Sequence, residues 1–136
     1  MTKGADQRFT RSMRLKRRRL IAPLFDRTNN GIRSVASGSI RILFRFVPQN
    51  ETGVVTPVQI GFAPGRCKNS VQRNRLRRQM REFWRINQHV VPTHQFPDDQ
   101  TLTLMVLARG AHRTKDVTSD LLKAMYLLHQ SIKKRD

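Results

Sequence analysis

Between Asn69 and about Gln88 the chain predicts one helix carrying two incompatible-looking stripes. Leu76, Met80, Phe83 and Trp84 fall at i, i+4, i+7 and i+8, which is one face of a 3.6-residue period. At about 100° per residue, Asn74, Arg78, Arg81 and Arg85 line the opposite face, with Arg77 at its edge and Arg73 nearer the apolar flank. From Arg73 to Arg85 there are six arginines and one acid, Glu82. Exposed helices usually mix signs to gain pairs three and four residues apart. Here Arg77–Arg81, Arg78–Arg81 and Arg81–Arg85 repel one another instead. Such a face loses helix stability until a polyanion neutralises it, so it points to a nucleic-acid partner.

The remaining periodicities supply a second layer. Residues 39 to 47 alternate as a strand, with Ile40, Ile42, Phe44 and Phe46 on one side and Arg41, Leu43, Arg45 and Val47 on the other. One side of the sheet is therefore expected in the core and the other open to an anionic ligand. Pro48 to Pro57 reads as a loop, Val58 to Ala63 as a second strand closed by Pro64-Gly65, and Thr101 to Ala108 as a third. Leu20, Ile21, Leu24 and Phe25 lie at helical spacing. Pro23 is tolerable there only in a first turn, so that helix must start near Arg19 or Leu20. Asn29-Asn30-Gly31 marks a turn. A last helix starts at an Asp116 or Thr118 cap and turns Leu121, Leu122, Met125, Leu128, His129 and Ile132 inward. Helix, strands, helix, strand and helix in that order make an α+β fold, a small two-layer sandwich.

Charge placement sets the domain reading. Lysine and arginine number 27 against 9 aspartates and glutamates, a net charge of +18, and arginine supplies 20 of the 27. Arginine grips phosphate with a planar two-pronged fork. The cations cluster at Arg8 to Arg19 and Arg66 to Arg85, while the last third is nearly balanced. Residues 1–17 read as a basic flexible arm, and 18–136 as one RNA-binding domain. No apolar run reaches the length of a membrane span, and the start lacks the apolar core of a secretory signal, so a cytoplasmic protein with no membrane partner is expected.

Other chemistry is thinly represented. His89, His94, His112 and His129 are dispersed, with no acid or cysteine at metal-ligand spacing. His129, on an apolar face, reads as a packed residue. Asp98-Asp99 reads as a solvated turn and the lone Cys67, between Arg66 and Lys68, as incidental. No catalytic triad or paired-carboxylate arrangement emerges, so catalytic residues and protein-bound cofactors are expected to be none. A duplex-DNA reader is disfavoured because the arginine helix lacks the partner helix of a helix-turn-helix.

The run Arg73-Asn74-Arg75-Leu76-Arg77-Arg78-Gln79-Met80-Arg81-Glu82-Phe83-Trp84-Arg85 resembles the RNR signature of the bacterial ribonuclease P protein component. Leu20-Ile21 with Leu24-Phe25 is similar to that family's first helix, and Leu102 to Arg109 to its strand ending in Ala-Arg. With the C-terminal leucine-rich helix, the likeness covers most of residues 14 to 133. It implies an αβββαβα fold with a left-handed βαβ crossover, against the general right-handed rule. It further implies the protein subunit of an endonuclease that matures the 5′ end of tRNA. In that enzyme the RNA subunit and magnesium carry the chemistry.

By position, the resemblance assigns Arg73, Asn74, Arg75, Arg77, Arg78, Arg81 and Arg85, with Arg66 and Lys68 in the preceding loop, to the ribonuclease P RNA. It assigns Ile21, Phe25, Arg41, Arg45 and Arg109 to a cleft for the single-stranded leader of precursor tRNA. Ile21 stands where the family usually has an aromatic, and Phe25 fits core packing as well as RNA contact. The magnesium is implied for the RNA-containing holoenzyme, in which this protein would be a monomer. The competing reading is a basic structural RNA-binding protein of ribosomal or RNA-chaperone type.

Overall fold

The computed structural model describes residues 9–26, 28, 31–65, 69–109 and 114–133. A four-stranded sheet runs in the order β1-β2-β4-β3, with β1 Arg33–Ser37, β2 Ile40–Pro48, β3 Val58–Ala63 and β4 Gln100–Ala108. β1 and β2 form a hairpin, β2 and β4 are antiparallel, and β3 and β4 are parallel. The connection from β3 to β4 carries the long helix α3, Ser70–Asn87. A first helix α1 (Arg18–Ile21) continues as a 3-10 turn (Ala22–Phe25), α2 is the short turn Gln49–Thr52, and α4 is Thr114–Lys133. With α2 set aside, the order is the αβββαβα arrangement that the family resemblance implies.

Alternation along the strands divides the core. Ile40, Ile42 and Phe44 of β2, Val58, Ile60 and Phe62 of β3, and Leu102, Leu104, Val106 and Ala108 of β4 pack against Leu76, Met80 and Trp84 of α3 and Val117, Leu121, Met125 and Leu128 of α4. On the opposite face, Val47 and Met105 join Leu15, Leu20 and Leu24. That face is thus covered over part of its width by the N-terminal segment, whereas the sequence predicts it open. Buried threonines on it are satisfied: Thr101 Oγ1 donates to Thr56 O at 2.7 Å and Thr103 Oγ1 to Arg45 O at 3.1 Å. Unpaired, each would cost about 1–3 kcal/mol.

Three departures from the sequence reading have physical causes. Residues 9–17, read from composition as part of a flexible arm, are tied to the sheet. Leu15 is 6% exposed, its N–H donates to Ile60 O at 3.0 Å, and the Phe9 ring lies 6.1 Å from that of Phe62. The outer edge of β3 demands such a partner, because an uncovered edge leaves a row of unpaired carbonyls. Val58 O accepts from Thr56 Oγ1, Ile60 O from Leu15, and Phe62 O from Arg77 Nε at 3.4 Å. Residues 1–8 of the expected arm lie outside the described residues. β1 is the second departure, a strand of mixed small and polar residues with only its alternate positions half-buried. Third, α4 begins at Thr114, ahead of either expected cap, and the loop 48–57 contains α2.

The junction that aims α3 depends on one glycine. Gly65 follows β3 with φ +73°, and a Cβ there would sit 2.1 Å from Ala108 O. Left-handed backbone and a clash with backbone both penalise a side chain at this position. Gly65→Ala is expected to cost about 2 kcal/mol or more. A thermal melt checks it: an unchanged Tm would mean that the β3–α3 turn tolerates rearrangement.

Candidate nucleic-acid interface

Local chemistry starts α3 where the arginine stripe needs it. Asn69 is extended at the N-cap and its Oδ1 accepts from Gln72 N at 2.9 Å. No acid occupies the first turn, so the positive end of the helix dipole adds to the arginines. Leu76, Met80 and Trp84 are buried and Phe83 is half-buried. Arg73, Asn74, Arg75 and Arg78 are exposed, and Arg77, Arg81 and Arg85 are half-buried. Arg73 therefore stands in solvent and does not cover the core.

The six arginines are not equivalent. Arg85 Nε reaches Glu82 Oε2 at 3.1 Å; the contact raises the guanidinium's pKa and holds the Glu82 carboxyl below its ordinary range. Arg77 is oriented by Phe62 O and by Asn74 Oδ1, the latter at 3.1 Å. Arg81 has its pKa lowered, first by burial and then by Arg14, Arg77 and Arg78. Among the described residues no acid pairs with Arg73, Arg75, Arg78 or Arg81. This face concentrates positive charge at a cost in repulsion, which is a state that a phosphate backbone relieves.

A second feature opens between the first helix and the sheet. A cleft of about 530 Å³ is lined by Leu24, Phe25, Asp26, Ile32, Arg33, Ser34, Arg41, Leu43 and Leu107. Phe25 is 48% exposed, so its ring is available at the cleft and is not a core side chain. Arg41 is exposed, with Nη2 3.5 Å from Ser34 Oγ. Asp26 Oδ1 accepts from Thr28 Oγ1 at 2.6 Å and from Thr28 N at 2.9 Å. Those bonds, the side-chain one first, hold the carboxyl below its ordinary pKa. An apolar floor, one aromatic and the exposed guanidinium of Arg41 suit a single strand of nucleic acid.

A family model described as Ribonuclease P matches residues 9–130, most of the chain. The chain belongs to the ribonuclease P family. Neither the curated proteins nor the solved structures give a significant match. Membership gives a role in an endoribonuclease complex of tRNA processing and implies a ribonuclease P RNA as partner.

The structure sorts the residues that the ribonuclease P likeness had assigned to the leader. Phe25 and Arg41 line the cleft; Ile21, Arg45 and Arg109 do not. Ile21 packs half-buried beside Leu15, Leu20 and Leu24. Arg45 shares the face of Arg41 but sits between Leu43 and Val47, with a buried Nε that has no hydrogen-bond partner. Arg109 is exposed at the end of β4, where its N–H donates to Ser39 O at 2.7 Å. Arg66, Lys68 and Cys67 lie outside the described residues. Asp26, Ile32 and Ser34 are cleft residues that the sequence did not offer: Ser34 lies in β1, whose alternation is weak, Ile32 stands just before it, and Asp26 caps the turn after the first helix. His129 is a packed residue, its Nδ1 2.7 Å from Val90 O. Among the described residues no three His, Cys, Asp or Glu side chains are grouped to hold a metal ion, and no helix is long and apolar enough to cross a membrane.

Proposed function

We propose that this chain is a cytoplasmic, monomeric protein subunit that binds the ribonuclease P RNA through α3 and the 5′ leader of precursor tRNA through the cleft, and so promotes 5′ maturation of tRNA. The observation that carries the proposal is that Arg73, Arg75, Arg78 and Arg81, none of them paired with an acid among the described residues, stand on a helix whose opposite face is locked into the core. The stripe cannot turn away from its ligand, so Arg73, Arg75, Arg78 and Arg81 present phosphate contacts in a fixed array. The cleft lies on the other face of the sheet, and a second strand can occupy it at the same time. There Phe25 offers a base-stacking surface, Arg41 a phosphate contact, and Leu43 and Leu107 an apolar floor. Bond cleavage belongs to the RNA subunit, with magnesium held by that RNA. The protein's residues bind and orient.

Competition binding tests the proposal against a general RNA-binding role. Complex formation with cognate ribonuclease P RNA is expected to survive an excess of unrelated folded RNA of equal length. Competition in simple proportion to RNA length would favour the ribosomal or chaperone type of protein instead.

Asp26 gives a charge prediction within the cleft. Its depressed pKa keeps it ionised through neutral pH, so it repels an incoming phosphate backbone. Asp26→Asn keeps an oxygen acceptor for Thr28 and removes that charge. Leader-bearing substrate should then bind more tightly, by up to about fivefold at low salt. In the wild type, the stabilising Asp26–Thr28 bonds persist above the carboxyl's ordinary pKa and are lost as pH falls through the depressed value. Affinity measured for both proteins from neutral to acid pH checks this. Equal affinity at neutral pH and low salt would remove Asp26 from the leader path.

A further inference from the structure

The N-terminal segment and the arginine helix meet at one strand edge. Ile60 O and Phe62 O are successive outward carbonyls of β3, separated by about 7 Å of strand. The first is taken by Leu15 N and the second by Arg77 Nε. Arg14 bridges Ile60 in parallel, and bridged residues project their side chains to the same face of a sheet. Ile60 faces the helix layer, so Arg14 does too, while its neighbour Leu15 is buried on the opposite face among Leu20 and Leu24. Arg14 is exposed on the sheet face that carries α3. The segment is further fixed by Gln59 Nε2 donating to Ser12 O at 3.0 Å and by the Phe9, Phe62 and Trp84 rings in sequence.

We propose that Arg14 completes a phosphate-binding subsite with Arg77, Arg78 and Arg81, built from two elements that β3 brings together, and that its ligand is the phosphodiester backbone of the RNA bound by α3. The inference rests on the reading of α3 as an RNA-binding surface. It assigns a ligand to a cation of the N-terminal segment that has no role in the fold beyond its backbone. The Coulombic effect of Arg14 on Arg81 agrees with this closeness. Four guanidinium groups from two successive turns of α3 and from the N-terminal segment are costly to hold together in the free protein, and an anion lodged among them relieves the repulsion. Because Leu15 is packed under the first helix, phosphate held by Arg14 also secures the segment that backs the cleft.

The test uses the full chain and ribonuclease P RNA, with affinity measured across a salt series for wild type, Arg14→Gln, Arg14→Lys and Arg78→Ala. Loss of one phosphate contact flattens the log–log salt slope by about 0.7–0.9, which is roughly five- to eightfold in affinity at 0.1 M salt relative to 1 M. Arg14→Gln is expected to show that loss and Arg14→Lys to recover most of it. In the free protein at low salt, Arg14→Gln should melt no lower than wild type, since it removes repulsion; a residue needed only for the fold would lower the melt. An unchanged slope in Arg14→Gln with a flattened slope in Arg78→Ala would overturn the subsite and leave the α3 reading standing. Unchanged slopes in both would overturn the two together.

Discussion

Arg78→Ala combined with Arg81→Ala should weaken binding of the ribonuclease P RNA by roughly 25- to 60-fold at 0.1 M salt relative to 1 M, if each residue holds one phosphate. The fold should survive. Arg78 is exposed and Arg81 half-buried, while Leu76, Met80 and Trp84 carry the packing of α3. Arg81 is crowded by Arg14, Arg77 and Arg78, so removing it relieves repulsion in the free protein. The melt at low salt should therefore hold steady or rise as RNA affinity falls. That opposition separates a binding surface from a structural one, because a helix face that served only the fold would lose stability with its side chains. The same double change should flatten the salt slope by about 1.4–1.8. An unchanged slope would make the stripe a solvated face.

Phe25→Ala with Arg41→Ala should act on a different ligand. The two line one cleft, whereas Arg45 and Arg109 lie away from it. Stacking on an aromatic ring is worth roughly 1–3 kcal/mol per base, and the lost phosphate contact adds to that. In the assembled holoenzyme the double variant should bind leader-bearing precursor tRNA at least about fivefold more weakly, from the low end of that stacking value, with little change for mature tRNA. Arg45→Ala and Arg109→Ala should discriminate far less between the two substrates. Titration with substrates of stepped leader length reads the difference directly. Equal losses for leader-bearing and leaderless tRNA would move the leader elsewhere on the protein. Phe25 is half-exposed, so a melt of the single variant should differ little from wild type.

What could be read in the sequence follows element strength. α3, β2, β3, β4 and most of α4 are long or strongly apolar, and the inward residues that the periods name on β2 and α3, Ile40, Ile42 and Phe44 with Leu76, Met80 and Trp84, are buried. β1 escaped because Arg33-Ser34-Val35-Ala36-Ser37 has weak strand preference of its own. Its conformation comes from pairing with β2, through a two-residue turn in which Gly38 abuts the Asp120 carboxylate that also accepts from Ser39 N and Oγ. Residues 9–17 escaped for a similar reason. Their attachment rests on two apolar side chains, Phe9 and Leu15, and on backbone bonds to an edge that composition does not reveal. In the candidate site, a period of two correctly puts Arg41 and Arg45 on one face. It does not give lateral position: Arg45 lies four residues, about 13 Å, further along β2 than Arg41 and outside the cleft lining.

Single-turnover cleavage of precursor tRNA tests the central claim most directly, with cognate ribonuclease P RNA held at a magnesium concentration where the RNA alone is slow. Adding this protein should raise the rate of cleavage at the mature 5′ end. The protein without RNA should leave the substrate intact at every magnesium concentration. Cleavage by RNA-free protein, or no rate increase when the RNA and protein are shown to be bound, would contradict its role as the ribonuclease P protein subunit.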